Sequence, residues 1–118
     1  MVESMKMCSF AAKIQGCSAI AGKASDIFKI ATVNGAHAFG LNADKIEEGC
    51  LADCLLLDLN NPFLTPNHNL ISNLVYAADS SCISDVICDG RLVMENHIVP
   101  NEENIISEAQ ALAQKIKK

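Results

Sequence analysis

The sequence has no tryptophan, one tyrosine and four phenylalanines, too few aromatic rings for a surface on which nucleic-acid bases stack. Its 9 Lys and Arg stand against 14 Asp and Glu, a formal charge of -5, and the basic residues form no cluster. Nucleic acids and anionic membrane surfaces are therefore not expected as partners. No run of about 18 apolar residues is present, which argues against a membrane span. The opening stretch MVESMKMCSF lacks a charged segment followed by a long apolar core, so a secretory leader is not expected and a cytoplasmic protein is. Phosphate loop, nucleophile elbow and dinucleotide fingerprint are missing, as are any His-x-His pair and any C-x2-C knuckle.

What is there is one domain's length of chain: 118 residues, 50% hydrophobic. That fraction excludes disorder, and the length allows burial of roughly two-thirds of the unfolded surface. Six cysteines (Cys8, Cys17, Cys50, Cys54, Cys82 and Cys88) could form three disulfides or hold zinc. The spacings Cys50-x3-Cys54 and Cys82-x5-Cys88 do not make paired knuckles. Cys54 and Cys88 fall in apolar, strand-like runs where a free thiol serves as a small hydrophobe. Free thiols are the better reading.

Along the chain, Met1–Gln15 carries apolar residues almost all round and predicts a well-buried helix ending at Gly16. Gly16–Gly22 reads as a loop. Ser25 or a neighbour caps a second helix with Ile27, Ile30, Ala31, Asn34 and Ala38 on one stripe. Gly35 inside it points to a close packing contact, and Gly40 supplies a left-handed C-terminus with Leu41 folding back. Ile46–Gly49 predicts a short strand, and Ala52–Leu59 a strand buried on both faces. A loop over Asn61–Asn69 precedes a helix over Asn69–Ala78 with Ile71, Leu74, Val75 and Ala78 in register. Asp89-Gly90 between the apolar runs 84–88 and 91–95 marks a type I′ hairpin. After Pro100, Asn101 caps a last helix with Glu102 and Glu103 at its start and Lys115, Lys117 and Lys118 at its end. Its stripe of Ile105, Ile106, Ala109, Leu112, Ala113 and Ile116 suits docking onto the rest of the protein better than a membrane surface.

Three blocks, Ile30-Ala31-Thr32-x-Asn34-Gly35-Ala36-x-Ala38-x-Gly40-Leu41, Ile46-x-x-Gly49-x-x-Ala52-Asp53 and Val86-Ile87-x-Asp89-Gly90-x-x-Val93, stand in order, with Ile71-Ser72-Asn73-Leu74-Val75-Tyr76-Ala77 between the last two. The series resembles the C-terminal end of the metal-dependent amidohydrolases, in the branch of chlorohydrolases, guanine deaminases and S-adenosylhomocysteine/methylthioadenosine deaminases. The resemblance implies an α+β fragment: the last helices of a (β/α)8 metal-dependent hydrolase barrel, then part of a small β-sandwich with an antiparallel hairpin, then a C-terminal helix. It sets the divisions at 1–43, 44–100 and 101–118. The sequence departs from the family pattern in its short connection before Lys45, in Cys50-Leu51 where a basic pair is usual, and in Cys54 where Leu or Val is usual.

The family's chemistry, as the resemblance implies it, is attack by a metal-bound water on a carbon bearing an amino or halide leaving group. Its ligands are a His-x-His pair, further histidines and an aspartate. No position here matches them, so no catalytic, cofactor-binding or metal residue is assigned in this chain, and a divalent ion (zinc or iron) is expected only in the full-length enzyme. His37 sits within the second helix, and His68 and His97 in loops, which are surface positions rather than a catalytic set. Glu47-Glu48 and Glu102-Glu103 read as a solvated turn and a helix start, and Asn34-Gly35 and Asn73 as packing or capping groups. The sequence thus reads as the tail of a hydrolase acting on C–N or C–halide bonds of a small heterocycle such as a purine derivative, inactive alone. The alternative is a non-enzymatic module of that family. Either way a homo-oligomer, or the N-terminal part of the same enzyme, is the expected partner, because open strand edges and an apolar helix face need covering.

Overall fold

The computed structural model describes residues 1–116 as an α+β chain whose eight main elements follow the sequence signals closely in its helices and less so in its strands. Helix α1 (Val2–Gln15) ends at Gly16, whose N–H bonds the Ala12 carbonyl. Only Met5 and Ser9 of this helix are buried, while Phe10 and Ile14 are exposed. The all-round apolar pattern therefore does not correspond to burial within this chain.

The second predicted helix is two. α2 (Ala24–Ala31) and α3 (Val33–Ala38) meet at Thr32, with φ -121° and ψ -92°. Thr32 Oγ1 donates to the Phe28 carbonyl at 2.8 Å, a back-bond that competes with the helical ladder amid the β-branched residues Ile30, Thr32 and Val33. The N-cap is Lys23, two residues before Ser25, and its side chain makes no capping hydrogen bond. The break shifts the buried face: Ile27 and Ala36 are buried, and Ile30, Asn34 and Ala38 are not. Gly35 marks no tight contact either, since a Cβ there would meet nothing closer than the Ile30 carbonyl at 3.8 Å. The end of α3 follows expectation. Gly40 takes φ +65°, and Gly40 and Leu41 donate to the His37 and Ala36 carbonyls, closing a Schellman cap. Leu41 remains half exposed.

Residues 46–49 form turns, not a strand, and Ile46 is 90% exposed. The sheet is three-stranded and antiparallel in the order β1-β2-β3, with β1 Cys54–Leu57, β2 Ile83–Cys88 and β3 Arg91–Met94. Cys54 pairs with Ile87 and Leu55 with Val86, and Val86 pairs with Met94. The predicted strand over Ala52–Leu59 shrinks to an edge strand, and Leu55 and Leu56 are each 45% exposed rather than buried on both faces. Its apolar run is therefore only partly covered by the described residues. The hairpin is as expected, with positive φ at both Asp89 and Gly90.

Between β1 and β2, Asn61 starts a 3-10 turn over Pro62–Leu64, and Asn69 caps α4 (Leu70–Tyr76) by accepting from Ser72 N–H at 3.0 Å. Asn73 donates to the Leu64 and Pro66 carbonyls, the packing role expected of it. Leu64, Leu74, Ala78 and Cys82 make one small core, and Met5, Ile27 and Val75 another, with Phe28 packed against both. Cys82, not Cys54 or Cys88, is the buried cysteine, and all six thiols are free.

The last helix, α5 (Glu102–Ile116), forms as predicted but does not dock as expected: all its residues are exposed. Asn101 has φ +66°, and its side-chain oxygen accepts from the Asn104 amide instead of a helix N–H, so it is not the expected cap. Lys117 and Lys118, expected in the last turn, lie outside the described residues. Among the described residues no helix is long and apolar enough to cross a membrane.

Candidate functional site

The most interconnected polar group of the chain lies where α1, the 16–23 connection and α4 meet. Ser9 and Lys13 stand one turn apart on α1, and Tyr76 closes α4. Ser9 is fully buried and its hydroxyl donates to the Gly22 carbonyl at 2.7 Å. The Lys13 ammonium shares its three N–H groups among Ser9 Oγ at 2.8 Å, the Tyr76 hydroxyl at 2.9 Å and the Ala21 and Gly22 carbonyls at 3.0 Å. It also lies 5.2 Å from the centre of the Tyr76 ring, which stacks on Phe10. The hydrogen bond from Lys13, and then that with Ser9, holds the Tyr76 phenol below its ordinary value of 10.0.

Serine, lysine and tyrosine in contact can in general activate a nucleophile. Here the geometry serves a brace instead. The serine has no access to solvent, its proton is committed to a main-chain carbonyl, and the ammonium is surrounded by acceptors. Gly22 makes the close approach possible: with φ +57°, a Cβ there would sit 2.8 Å from Ala12 Cβ and 3.1 Å from the Ser9 carbonyl. The i, i+4 spacing of Ser9 and Lys13 was visible in the sequence, but nothing local pointed to Tyr76.

Beside this brace lies an open, mainly apolar hollow of about 400 Å³, lined by Met5, Phe28, Leu57, Leu74 and Cys82 among others. Asp44, Lys45, Asp53 and Asp79 also border it. These carboxylates are already engaged. Asp44 lies 3.0 Å from His37 Nε2, Asp53 accepts from Asp89 N–H, and Asp79 accepts from both the hydroxyl and the N–H of Ser81. The Ser81 hydroxyl, then its N–H, keeps the Asp79 carboxyl below the usual carboxylate range.

Of the histidines His37 meets Asp44, and no third His, Cys, Asp or Glu joins that pair among the described residues. His37, His68 and His97 are all exposed, and His97 binds the fold through its backbone, donating to Ser84 O. Glu47 pairs with Lys45 at 2.7 Å on an exposed turn, and Glu102 and Glu103 open α5 in solvent. Among the described residues no three His, Cys, Asp or Glu side chains form a group that could hold a metal ion. The donors here therefore do not fit the ion that the family resemblance implies.

The sequence profile of the Amidohydrolase family matches residues 1–93. The chain is 40% identical over 119 residues to 5-methylthioadenosine/S-adenosylhomocysteine deaminase 1 of Archaeoglobus fulgidus, a match covering 98% of this chain and 28% of that protein. It is 38% identical over 118 residues to the 5'-deoxyadenosine deaminase of Methanosphaera stadtmanae, with the same coverage of 98% and 28%. Among solved structures, a zinc-bound adenosine deaminase from Xanthomonas campestris superimposes with a TM-score of 0.90 at 26% identity, over 99% of this chain and 28% of that one. The zinc complex of atrazine chlorohydrolase from Arthrobacter aurescens shares the fold with a TM-score of 0.82 at 20% identity, over 95% of this chain and 26% of that one. The chain thus spans little more than a quarter of the length of the relatives it matches. By the extent of these matches in sequence and in fold, the chain belongs to the Amidohydrolase family.

Proposed function

We propose that this chain is the C-terminal part of a metal-dependent amidohydrolase that deaminates a purine nucleoside derivative in the cytoplasm, and that it is inactive by itself. The observation that carries the reading is the match to nucleoside deaminases along 98% of the chain but only 28% of theirs. In this reading residues 1–43 are the closing helices of the (β/α)8 barrel, 44–100 are part of a composite β-sandwich, and 101–118 are the terminal helix. The zinc or iron ion of the parent is then held by residues outside this chain, and so is most of the substrate pocket. This chain's share is architectural. The Ser9–Lys13–Tyr76 brace sets the angle between α1 and α4 and so between the barrel end and the second lobe. Hydrolysis of a C–halide bond is the other outcome within the same scaffold.

The test is the intact mass of the natural product, captured from its source cells with an antibody to this chain, followed by an ammonia-release assay. A product several times heavier than 12.6 kDa that releases ammonia from 5'-deoxyadenosine or 5-methylthioadenosine is expected. A natural product of 12.6 kDa overturns the reading in favour of a stand-alone module.

A further inference from the structure

The Lys13 ammonium sits half-buried in the brace, and no carboxylate among the described residues pairs with it. Its surroundings are neutral: the Ser9 and Tyr76 hydroxyls, the Ala21 and Gly22 carbonyls and the face of the Tyr76 ring. An ammonium carries three N–H groups, and these four acceptors lie within 3.0 Å of it, so no donor is left over for a partner outside the brace. Of the groups it touches, one alone can become an anion. That group is the Tyr76 phenol, 2.9 Å away.

The phenol is placed to receive that role. Ser9 Oγ lies 2.7 Å from the Gly22 carbonyl and 3.1 Å from the Tyr76 oxygen, so one rotation of the serine hydroxyl carries its proton from the first to the second. A phenolate would then accept from both Lys13 and Ser9. The remaining neighbours add no competing charge. Helix α4 has no charged residue, and Lys6 on α1 pairs with Glu3. Lys23, Asp26 and Lys29 at α2 are exposed, and the core beside the ring is Met5, Ile27 and Val75 with Ala24, Phe28 and Ala31. Asp79, beyond α4, is held by Ser81. The depressed ionisation of Tyr76, caused first by the Lys13 hydrogen bond and then by that with Ser9, runs in the same direction. We infer that Tyr76 is a pH-dependent counter-ion for Lys13: in alkali the phenol gives its proton to solvent hydroxide, the Ser9 hydroxyl turns to the phenolate, and the brace becomes an internal ion pair that fastens α1 to α4. The ammonium is already out of bulk water in the neutral form, so only the phenol's desolvation opposes the pair. The inference rests on the brace alone and holds whichever reaction the parent performs.

The chain has one tyrosine and no tryptophan, so its near-ultraviolet tyrosinate absorbance follows Tyr76 alone. Titrated with alkali, with circular dichroism marking the folded range, the chain is expected to form tyrosinate at lower pH than the same chain in urea. Lys13→Met is expected to move that transition upward. Stability gives the linked readout. A phenol that ionises earlier folded than unfolded binds fewer protons folded, so stability rises with pH across that interval and is complete above the unfolded value, near 10.0. Urea midpoints of the chain are therefore expected to gain on those of Tyr76→Phe as pH rises from neutral into this range. That variant carries the same lysines and thiols, so the difference isolates the phenol. The titration of the unaltered chain needs no variant and decides the matter even where Lys13→Met does not fold. A tyrosine that titrates in the native chain together with, or above, its unfolded form overturns the inference. So does a midpoint difference from Tyr76→Phe that stays flat with pH.

Discussion

At the scale of single residues, the chain invests its best hydrogen bonding in Lys13. Its ammonium is the donor to two main-chain carbonyls, a serine and a tyrosine. Lys13→Met keeps the aliphatic stem but leaves those acceptors partly unsatisfied, and is expected to destabilise the chain by about 1–3 kcal/mol. Urea unfolding checks this as a lowered midpoint at unchanged slope. Two carboxylates add a pH dependence. Asp79 is held below its usual range by the hydroxyl and then the N–H of Ser81, and Asp85 by the Ser84 hydroxyl and then the Asn96 N–H. A carboxyl whose folded value is depressed binds fewer protons folded than unfolded. Its stabilisation is complete above the unfolded value, near 3.8, and is lost as pH falls through the lower folded value. Unfolding midpoints measured from neutral pH down through this acid range should fall, and the fall should be shallower in the Asp79→Asn, Asp85→Asn double variant.

At the scale of elements, two glycines in neighbouring positions give opposite predictions. Gly35 is helical and uncrowded, so Gly35→Ala is expected to stabilise α3 by about 0.5–1 kcal/mol. Gly40 holds the left-handed cap at φ +65°, so Gly40→Ala is expected to cost about 1–2 kcal/mol although nothing would crowd its Cβ. Thermal melts of the two variants should shift in opposite directions. The elements legible in the sequence are those whose signals are local: the Asp89-Gly90 turn, the helix beginning near Asn69, the Gly40 terminus of α3. The illegible ones depend on distant or absent neighbours. The apolar run 52–59 has the composition of a doubly covered strand, yet β1 is an edge with Leu55 and Leu56 half in water, because no element among the described residues packs over them. The brace escaped notice for a similar reason, since Lys13 and Tyr76 meet only through the packing of α1 on α4.

At the scale of the whole molecule, these exposed faces add up to a measurable shape. The radius of gyration is 17.5 Å, where a compact domain of this length has about 13.5 Å. The accessible surface of 8718 Å² exceeds the compact expectation by about 2,500 Å², the magnitude of an obligate interface. The two small cores around Leu64 and Val75 hold α1, α2 and α4 together, while β1, the outer side of α1 and the stripe of α5 carry exposed apolar side chains. The consequence is thermodynamic as well as geometric. Folding to this shape buries roughly 9,600 Å² of the unfolded chain's surface, against roughly 12,100 Å² for a compact monomer. The urea m-value follows the surface exposed on unfolding, so the dilute chain should show about four-fifths of the slope normal for its length, and should bind a dye for apolar surfaces. A full-sized slope without dye binding would show instead that these exposed apolar faces are covered in solution.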